Sequence, residues 1–495
     1  MEWTALAPDA RRQLVDSRAG DGAGSEVAGS AADGARIPWG GLLGVAAAVL
    51  PMAALWGFTV DDALVSARVA ANLASGAGYR FNAAGPVVDA VTPLGWAVVL
   101  APFAGGGPLS ALFAAQCLGA LCWVAAAGWL GTRIGQIGAS RWRFLPLLVL
   151  AVNAPVAAWA VAGMETGVVT ALCTVALSAR WWGALAVGLA AAWRPELIPY
   201  AVVLAAGLAR ASGRSRAVVS LHGALAITPA VAVGAVRALV FGSVAPLAVL
   251  AKPSDLSHGS FYVAAALIWT GVPVLVVAPW TLRRLPKRHL VPLVAFVAHG
   301  VALVLAGGDW MSMFRLVAPV LPALLLTAAA VAEQGPIRAT VARLVLGFAV
   351  SVVLLTDLGP GARTVSHNRR ALIHSAAKEL VGAERVAAVD VGWVGAATTA
   401  AVIDLSGITD PTIAVLPGGH TSKRIDADFL RRRRVDHVML LMPPGATLQS
   451  PWYRSTFSYA VEREVVAQSR ALGLRPVAQF PVGQTGRTYL LLQMR

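Results

Sequence analysis

Two adjacent carboxylates, Asp61 and Asp62, follow directly on the first long apolar stretch of the chain. Burial and mutual repulsion raise the pKa of one member of such a pair, which suits a general base. The same pair also reads as a hydrated helix end, and it can bind a divalent ion. Isolated cations end other apolar stretches: Arg194, Arg237, Lys252 and Arg315. Guanidinium groups make bidentate contacts with phosphate. Simpler readings stand beside that one. Arg237 and Lys252 can snorkel, Arg194 can pair with Glu196, and Arg315 can pair with Asp309 beside Trp310. Glu165 can cap a helix start. His299 and His222 lie inside apolar stretches and read as hydrogen-bonded packing residues. Cys117, Cys122 and Cys173 have no metal-ligand spacing and read as small buried hydrophobes.

These polar groups are sparse in a chain of 495 residues that is 57% hydrophobic and only 13% charged, with mean hydropathy +0.68. Soluble domains carry about 25% charged residues, so the composition excludes an ordinary soluble enzyme. It excludes a disordered or collagen-like chain as well. The net charge of +15 fits Lys/Arg-rich inner loops of a membrane protein as readily as nucleic acid. Nothing else points to nucleic acid, haem or a dinucleotide.

Residues 1–37 are polar and rich in Gly, Ala, Ser and Asp, and are expected to form a disordered cytoplasmic tail. Residues 38–359 hold apolar runs near 39–58, 108–131, 144–162, 166–182, 183–193, 195–209, 217–240, 261–281, 290–306, 316–332 and 342–358. A spanning helix needs about 20 residues, and these runs are read as about eleven transmembrane helices. The stretch 92–104 is short, holds Pro93 and Pro102, and reads as an interfacial helix. With the N-terminus inside, thirteen Lys/Arg fall in inner loops and six in outer loops before residue 358. That satisfies the positive-inside rule, whereas making 92–104 a span inverts it. Merging the two pieces around Trp193-Arg194-Pro195-Glu196 would invert it too. Residues 360–495 differ: β-like runs at 386–389, 401–403, 437–441 and 488–492 alternate with helical stretches such as 456–471. This predicts a small α/β domain, placed outside by parity. The fold class is thus an all-α polytopic membrane protein with an extracytoplasmic C-terminal α/β domain.

The polar residues gather on the predicted outer side, and their order resembles a known family. Asp61-Asp62 is followed by a short helix with Ser66 and Arg68, then Asn72-Leu73-Ala74-Ser75-Gly76-Ala77-Gly78, Phe81-Asn82 and Thr92-Pro93-Leu94-Gly95-Trp96. Further along stand Gly163-Met164-Glu165-Thr166, Arg194-Pro195-Glu196, Gly242-Ser243-Val244-Ala245-Pro246 with Lys252, and Gly307-Gly308-Asp309-Trp310-Met311 with Phe314-Arg315. Asp404-Leu405-Ser406-Gly407-Ile408-Thr409-Asp410 comes last. Together these resemble GT-C glycosyltransferases, and within them the actinobacterial terminal arabinofuranosyltransferases. The resemblance covers roughly residues 56–436. Asp89-Ala90-Val91 departs from the Glu-Gly-Tyr that members often carry, near the presumed acceptor loop.

The resemblance implies a GT-C transmembrane catalytic domain over 38–359. It would transfer a sugar, arabinofuranose by the closest group, from a polyprenyl-phosphate donor to a cell-envelope polysaccharide at the outer side of the plasma membrane. Such an inverting pentosyltransferase needs a base, Asp61 or Asp62, with Asp61 preferred. Its leaving phosphate would meet Arg194, Arg315, Lys252 and Arg237. Arg68, Glu165, Glu196, Asp309 and Trp310 would contact substrate. No sugar nucleotide is needed, no cofactor is assigned, and a divalent metal at the Asp pair is left open. The alternatives are a transporter or flippase of lipid-linked sugar, or a mannosyltransferase of the same superfamily.

Overall fold

The computed structural model describes residues 39–252, 254–444, 457–483 and 485–494. The tail expected over 1–37 lies outside the described residues. Counting helices of seven residues or more, the apolar part begins with α1 (Trp39–Leu55), α2 (Asp61–Ala74), α3 (Pro108–Gly135) and α4 (Ala154–Val161). It continues with α5 (Thr166–Val175), α6 (Trp181–Trp193), α7 (Ile198–Ala211) and α8 (Arg216–Phe241). Then come α9 (Leu256–Trp269), α10 (Lys287–Ala306), α11 (Leu321–Gln334), α12 (Ile337–Ala362) and α13 (Val365–Glu379).

Among the described residues, four helices are long and apolar enough to cross a membrane: α3, α8, α10 and the α12–α13 run over 337–379. A fifth is added if the helices at 141–150 and 154–161, bent by 60° at their break, are one span. Asn153 sits at that break. Its Oδ1 caps Val156 N at 3.1 Å, and its Nδ2 donates to Thr270 O at 2.8 Å. By length and composition the described residues thus give four or five candidate spans, where eleven apolar runs were read from the sequence. The runs at 166–182, 183–193, 195–209 and 261–281 contain α5, α6, α7 and α9, which are only 10 to 14 residues long. Pro195, Pro273 and Pro319 lie in 3-10 turns beside these helices and α11. Proline lacks the backbone donor that would continue the helix through it. Residues 92–104 form a five-residue helix and a 3-10 turn, too short to span, as expected.

Small residues let the first two long helices touch backbone to backbone. A Cβ on Gly131 of α3 would lie 1.9 Å from Gly40 O of α1, and one on Gly44 would lie 2.1 Å from Ala127 O.

The C-terminal part carries β1 (Arg385–Ala388), α14 (Val391–Ala397), β2 (Ala401–Asp404), β3 (His437–Met442), α15 (Ala460–Ala467), β4 (Arg475–Pro481) and β5 (Thr488–Gln493). The strands form one sheet in the order β2-β1-β3-β5-β4. β1 runs parallel to β2 and β3, while β5 is antiparallel to β3 and β4. All four expected strands form. β4 was not expected, because Pro476 and Pro481 mask it and proline is tolerated only at a sheet edge. The period-2 alternation splits the sheet between two cores. Val386, Ala388, Met439, Leu441, Tyr489 and Leu491 pack into the large core shared with the apolar helices. Ala387, Val438, Leu440, Leu490 and Leu492 face a second core with Val461 and Val465 of α15.

Candidate functional site

α1 ends at Leu55 and α2 starts with Asp61 and Asp62 in its first turn, where the helix dipole favours negative charge. Successive helical residues point about 100° apart, so the two carboxylates diverge. Asp62, with Val65 and Ser66 one turn on, lines a cavity of about 610 Å³. Asp61 does not line it. Its Oδ2 accepts Gly392 N at 2.7 Å and its Oδ1 accepts Trp393 N at 2.9 Å, both from α14. Burial, and secondarily Asp390, push the Asp61 carboxyl up to about 7, against the pull of Arg369 and the two amides.

The rest of the cavity wall comes from the segment 90–93, Met164-Glu165, Arg194, Glu196, residues 248–250, Lys252, Ser254, the end of α10, residues 307–310 and 315–316 of the loop that follows it, and Ile408. Arg315 projects from that loop with a bidentate hold on Asp309, Nε to Oδ2 at 2.8 Å and Nη2 to Oδ1 at 3.1 Å. Its Nη1 lies 3.5 Å from Asp62 Oδ2. The turn before it is held in an unusual backbone form: Met313 and Phe314 have φ of 60° and 50°, left-handed values that are uncommon without glycine. Trp159 Nε1 donates to Met313 O at 2.9 Å and Leu316 N donates to Tyr262 Oη at 3.1 Å, which fixes the turn from both sides.

Arg194 forms ion pairs with Glu165 at 2.6 Å and Glu196 at 3.4 Å, and its Nη2 donates to Thr166 Oγ1 at 2.9 Å. Its guanidinium is largely taken up by protein partners. Lys252 lines the cavity without a salt-bridge partner among the described residues. His299 behaves as the packing residue expected: its ring nitrogens lie 3.1 Å from Glu196 O and 2.8 Å from Leu316 O, joining two cavity segments.

Two further expected site residues are elsewhere. Arg237 does not line the cavity. It is buried against Asp89, Nε to Oδ2 at 2.9 Å, and also donates to Thr92 O. It anchors the segment 89–92 to the end of α8 instead of snorkelling. Arg68 is likewise remote from the cavity. All five of its N–H groups have acceptors: Nε on Phe81 O at 2.8 Å, Nη1 on Gly395 O and Thr398 O, and Nη2 on Asn82 Oδ1 and Ala400 O. Burial pushes its pKa down to about 10. It is a clamp between the segment after α2 and the C-terminal domain.

Trp310 lies on the cavity wall and is 67% exposed. His258 of α9 stacks on it at 3.9 Å between ring centroids and 15° between planes, held by Nδ1 at 2.7 Å from Gly307 O. His420 of the C-terminal domain approaches the same indole at 6.3 Å. Neither histidine was singled out from the sequence, since each sits in a polar loop or helix start with no spacing signal. The motif 404–410 is a braced turn. Asp404 accepts Ser406 N at 2.8 Å, Thr409 N at 2.6 Å and Thr409 Oγ1 at 3.1 Å, and so presents Ile408 to the cavity. Exposed Val249, Leu250 and Leu305 give one wall an apolar surface. Among the described residues no group of three or more His, Cys, Asp or Glu is arranged to hold a metal ion.

No protein-family description, curated protein or solved structure matches this chain.

Proposed function

We propose that the chain is a membrane glycosyltransferase that moves a sugar from a polyprenyl-phosphate donor to a cell-envelope glycan at the outer face of the plasma membrane. The observation that carries this reading is the placement of the Asp62 carboxylate 3.5 Å from Arg315 in a cavity with one apolar wall. Glycosyl transfer passes through an oxocarbenium-like state and needs a base on one side of the sugar and charge stabilisation on the other. Asp62 takes the acceptor hydroxyl proton. Lys252 and the Nη1 edge of Arg315 stabilise the departing phosphate, while Glu165, Arg194 and Glu196 brace the wall. The apolar surface of Val249, Leu250 and Leu305 receives the first isoprene units. Trp310, with His258 behind it, offers an aromatic face to an acceptor sugar ring. Direct attack by a base-activated hydroxyl gives inversion at the anomeric carbon. Arabinofuranose is the proposed sugar, on the motif resemblance.

Sidedness follows from chain direction. α10 ends at Leu305 and Ala306 on the cavity wall, and α1 leads directly into α2, whose Asp62 lines it, whereas Arg133 lies in the last turn of α3 and Arg288 and Arg338 lie in the first turns of α10 and α12. The positive-inside rule makes these arginine-bearing ends cytoplasmic, with the cavity and C-terminal domain extracytoplasmic. The deciding experiment incubates the purified protein with defined polyprenyl-phosphate sugars and oligosaccharide acceptors. A glycosylated acceptor is expected. Passage of the lipid-linked sugar across proteoliposomes without any product would establish a transporter instead.

A further inference from the structure

We propose that Asp61 is a positioning residue: by holding the Gly392 and Trp393 amides in the first turn of α14 it lets the C-terminal domain set the direction of the neighbouring Asp62 carboxylate. This rests on the reading of Asp62 as the base.

α2 has two working faces. Asp62, Val65 and Ser66 follow i, i+3, i+4 spacing and line the cavity. Asp61 and Arg68, two turns apart, lie on an adjacent face, and both bind the C-terminal domain. Each carboxylate oxygen of Asp61 has one amide partner, at 2.7 and 2.9 Å, so the group is held at two points. The first turn of α2 has no side-chain N-cap of its own, since Val60 stands at that position. Its orientation is therefore set from outside the helix.

The contact surface on the other side is shaped for this approach. A Cβ on Gly392 would lie 2.1 Å from Asp61 O and 2.9 Å from its Oδ2, and one on Gly395 would lie 2.8 Å from the Arg68 side chain. Two glycines three residues apart on α14 thus form the surface that α2 presses against. Asn82 extends the joint: its Oδ1 accepts Val402 N at 2.8 Å and its Nδ2 donates to Val402 O at 2.9 Å, pairing with β2 as a strand would. The charged and titratable groups around Asp61 are Arg369 of α13, Asp390 before α14, Tyr459 before α15 and Tyr489 of β5. Tyr489 accepts from Arg369 Nη1 at 3.3 Å and donates to Asp390 Oδ2. The helix that carries the cavity carboxylate is in this way bolted to a domain that, among the described residues, supplies only Ile408 to the cavity wall.

The test uses the full-length protein in lipid nanodiscs. Asp61→Asn replaces one acceptor oxygen by an NH2 group that faces an amide N–H. Exchange of the amides over 390–395 should accelerate at least tenfold. The thiol of Asp62→Cys, labelled by a small methanethiosulfonate, should change its rate at least fivefold when Asp61→Asn or Gly392→Ala is added. Turnover of either single variant should fall about 10- to 100-fold with donor affinity held within twofold. Gly392→Ala acts from the far side of the joint and carries the same measurements if Asp61→Asn does not fold. Labelling rates within twofold of each other in all backgrounds would overturn the proposal. So would loss of turnover in Asp61→Asn with unchanged amide exchange, because Asp61 would then act in the chemistry itself. Exchange and labelling involve no donor. An unmodified protein without transfer activity would therefore sink the functional reading alone, and these two arms would still decide for or against positioning.

Discussion

Asp62 and Asp309 approach one guanidinium from two directions: Arg315 binds Asp309 through Nε at 2.8 Å and turns Nη1 toward Asp62 at 3.5 Å. The bidentate partner fixes Arg315, and the longer contact leaves Asp62, whose side chain is 30% exposed, open to the cavity. Two carboxylates share one cation unequally. In the proposed reaction the less committed one takes the proton of a bound hydroxyl.

Asp62→Asn keeps the shape of that group and removes its basicity. Loss of a general base typically costs about 10²–10⁴-fold in rate. Turnover should fall by that order while affinity for the lipid donor stays near that of the unmodified protein. Turnover and equilibrium donor binding measured on the same preparation check this. Near-normal turnover would end the assignment of Asp62.

Arg315 and Lys252 should act already in the ground state, because the donor phosphate is charged before transfer. Hydrogen bonds to charged groups contribute about 1.5–3 kcal/mol, so Arg315→Ala or Lys252→Ala should weaken donor binding roughly 10- to 100-fold. Arg194→Lys should act differently. It breaks the clamp on Glu165, Glu196 and Thr166, so thermal stability should drop along with activity. Unchanged donor affinity in both Arg315→Ala and Lys252→Ala would remove the phosphate site.

The side of the membrane can be read with single cysteines, after Cys117, Cys122 and Cys173 are replaced by Ala. Val381 and Val415 are exposed on the C-terminal domain at 83% and 77%. Val381→Cys and Val415→Cys should react with an impermeant maleimide added to intact cells, and Arg338→Cys only after permeabilisation. The reverse pattern would invert the proposed orientation.

What the sequence disclosed follows from what is local. Strands β1, β2, β3 and β5 were legible because apolar runs bounded by turns mark buried strands, whereas β4 was hidden by its prolines. Asp62, Glu165, Arg194, Glu196, Lys252, Asp309, Trp310 and Arg315 do meet at one cavity. Arg68 and Arg237 do not, although nothing in their local sequence separates them from Arg315. Their partners are Gly395 O, Thr398 O and Ala400 O in one case and Asp89 with Thr92 O in the other. Those contacts depend on tertiary structure that composition does not carry. Which of Asp61 and Asp62 faces the cavity depends on the rotation of α2, and the other carboxylate meets the Gly392 and Trp393 amides more than 300 positions away. Four or five helices among the described residues are long enough to span where eleven apolar runs were read, for a different reason. Hydropathy registers apolar runs but not the breaks that Asn153, Pro195 and Pro273 introduce.

The α1–α3 contact predicts a large effect from a small change. Gly131→Leu places a side chain where even a Cβ would meet Gly40 O at 1.9 Å. The two helices must separate, and the loss of backbone-level packing on a membrane helix pair cannot be compensated by apolar burial, since lipid is equally apolar. Thermal stability in detergent should fall by several degrees or more, and Gly128→Ala, whose Cβ meets the Val45 side chain at 3.1 Å and Gly41 O at an ordinary 3.7 Å, should be much milder. Equal stability of Gly131→Leu and the unmodified protein would refute this packing.

The C-terminal domain should also show a pH dependence of defined sign. Glu462 is buried and its pKa is pushed up to about 8 by that burial, against the pull of the Leu441 and Tyr459 amides, which it accepts at 2.8 and 3.1 Å. Burial likewise lifts Asp404 to about 6, opposed by the Thr409 and Ser406 amides. Both folded-state values lie above those of an unfolded chain, so the native domain binds the extra protons. The associated stability is fully present below about pH 4 and is lost as pH rises, first through the Asp404 value and then through that of Glu462. Hydrogen-exchange protection of β3 and α15, corrected for the intrinsic pH effect on exchange, should thus be greater at acid than at alkaline pH. The difference between about pH 5.5 and 8.5 should be on the order of tenfold or more, since each unit of pKa difference corresponds to about 1.4 kcal/mol. Glu462→Gln cannot titrate, so it should flatten the alkaline part of the profile and leave the Asp404 part intact. Asp404→Asn should do the converse, and it should loosen the turn that presents Ile408. Equal protection at both pH values in the unmodified protein would show that neither carboxyl keeps its proton in the folded domain.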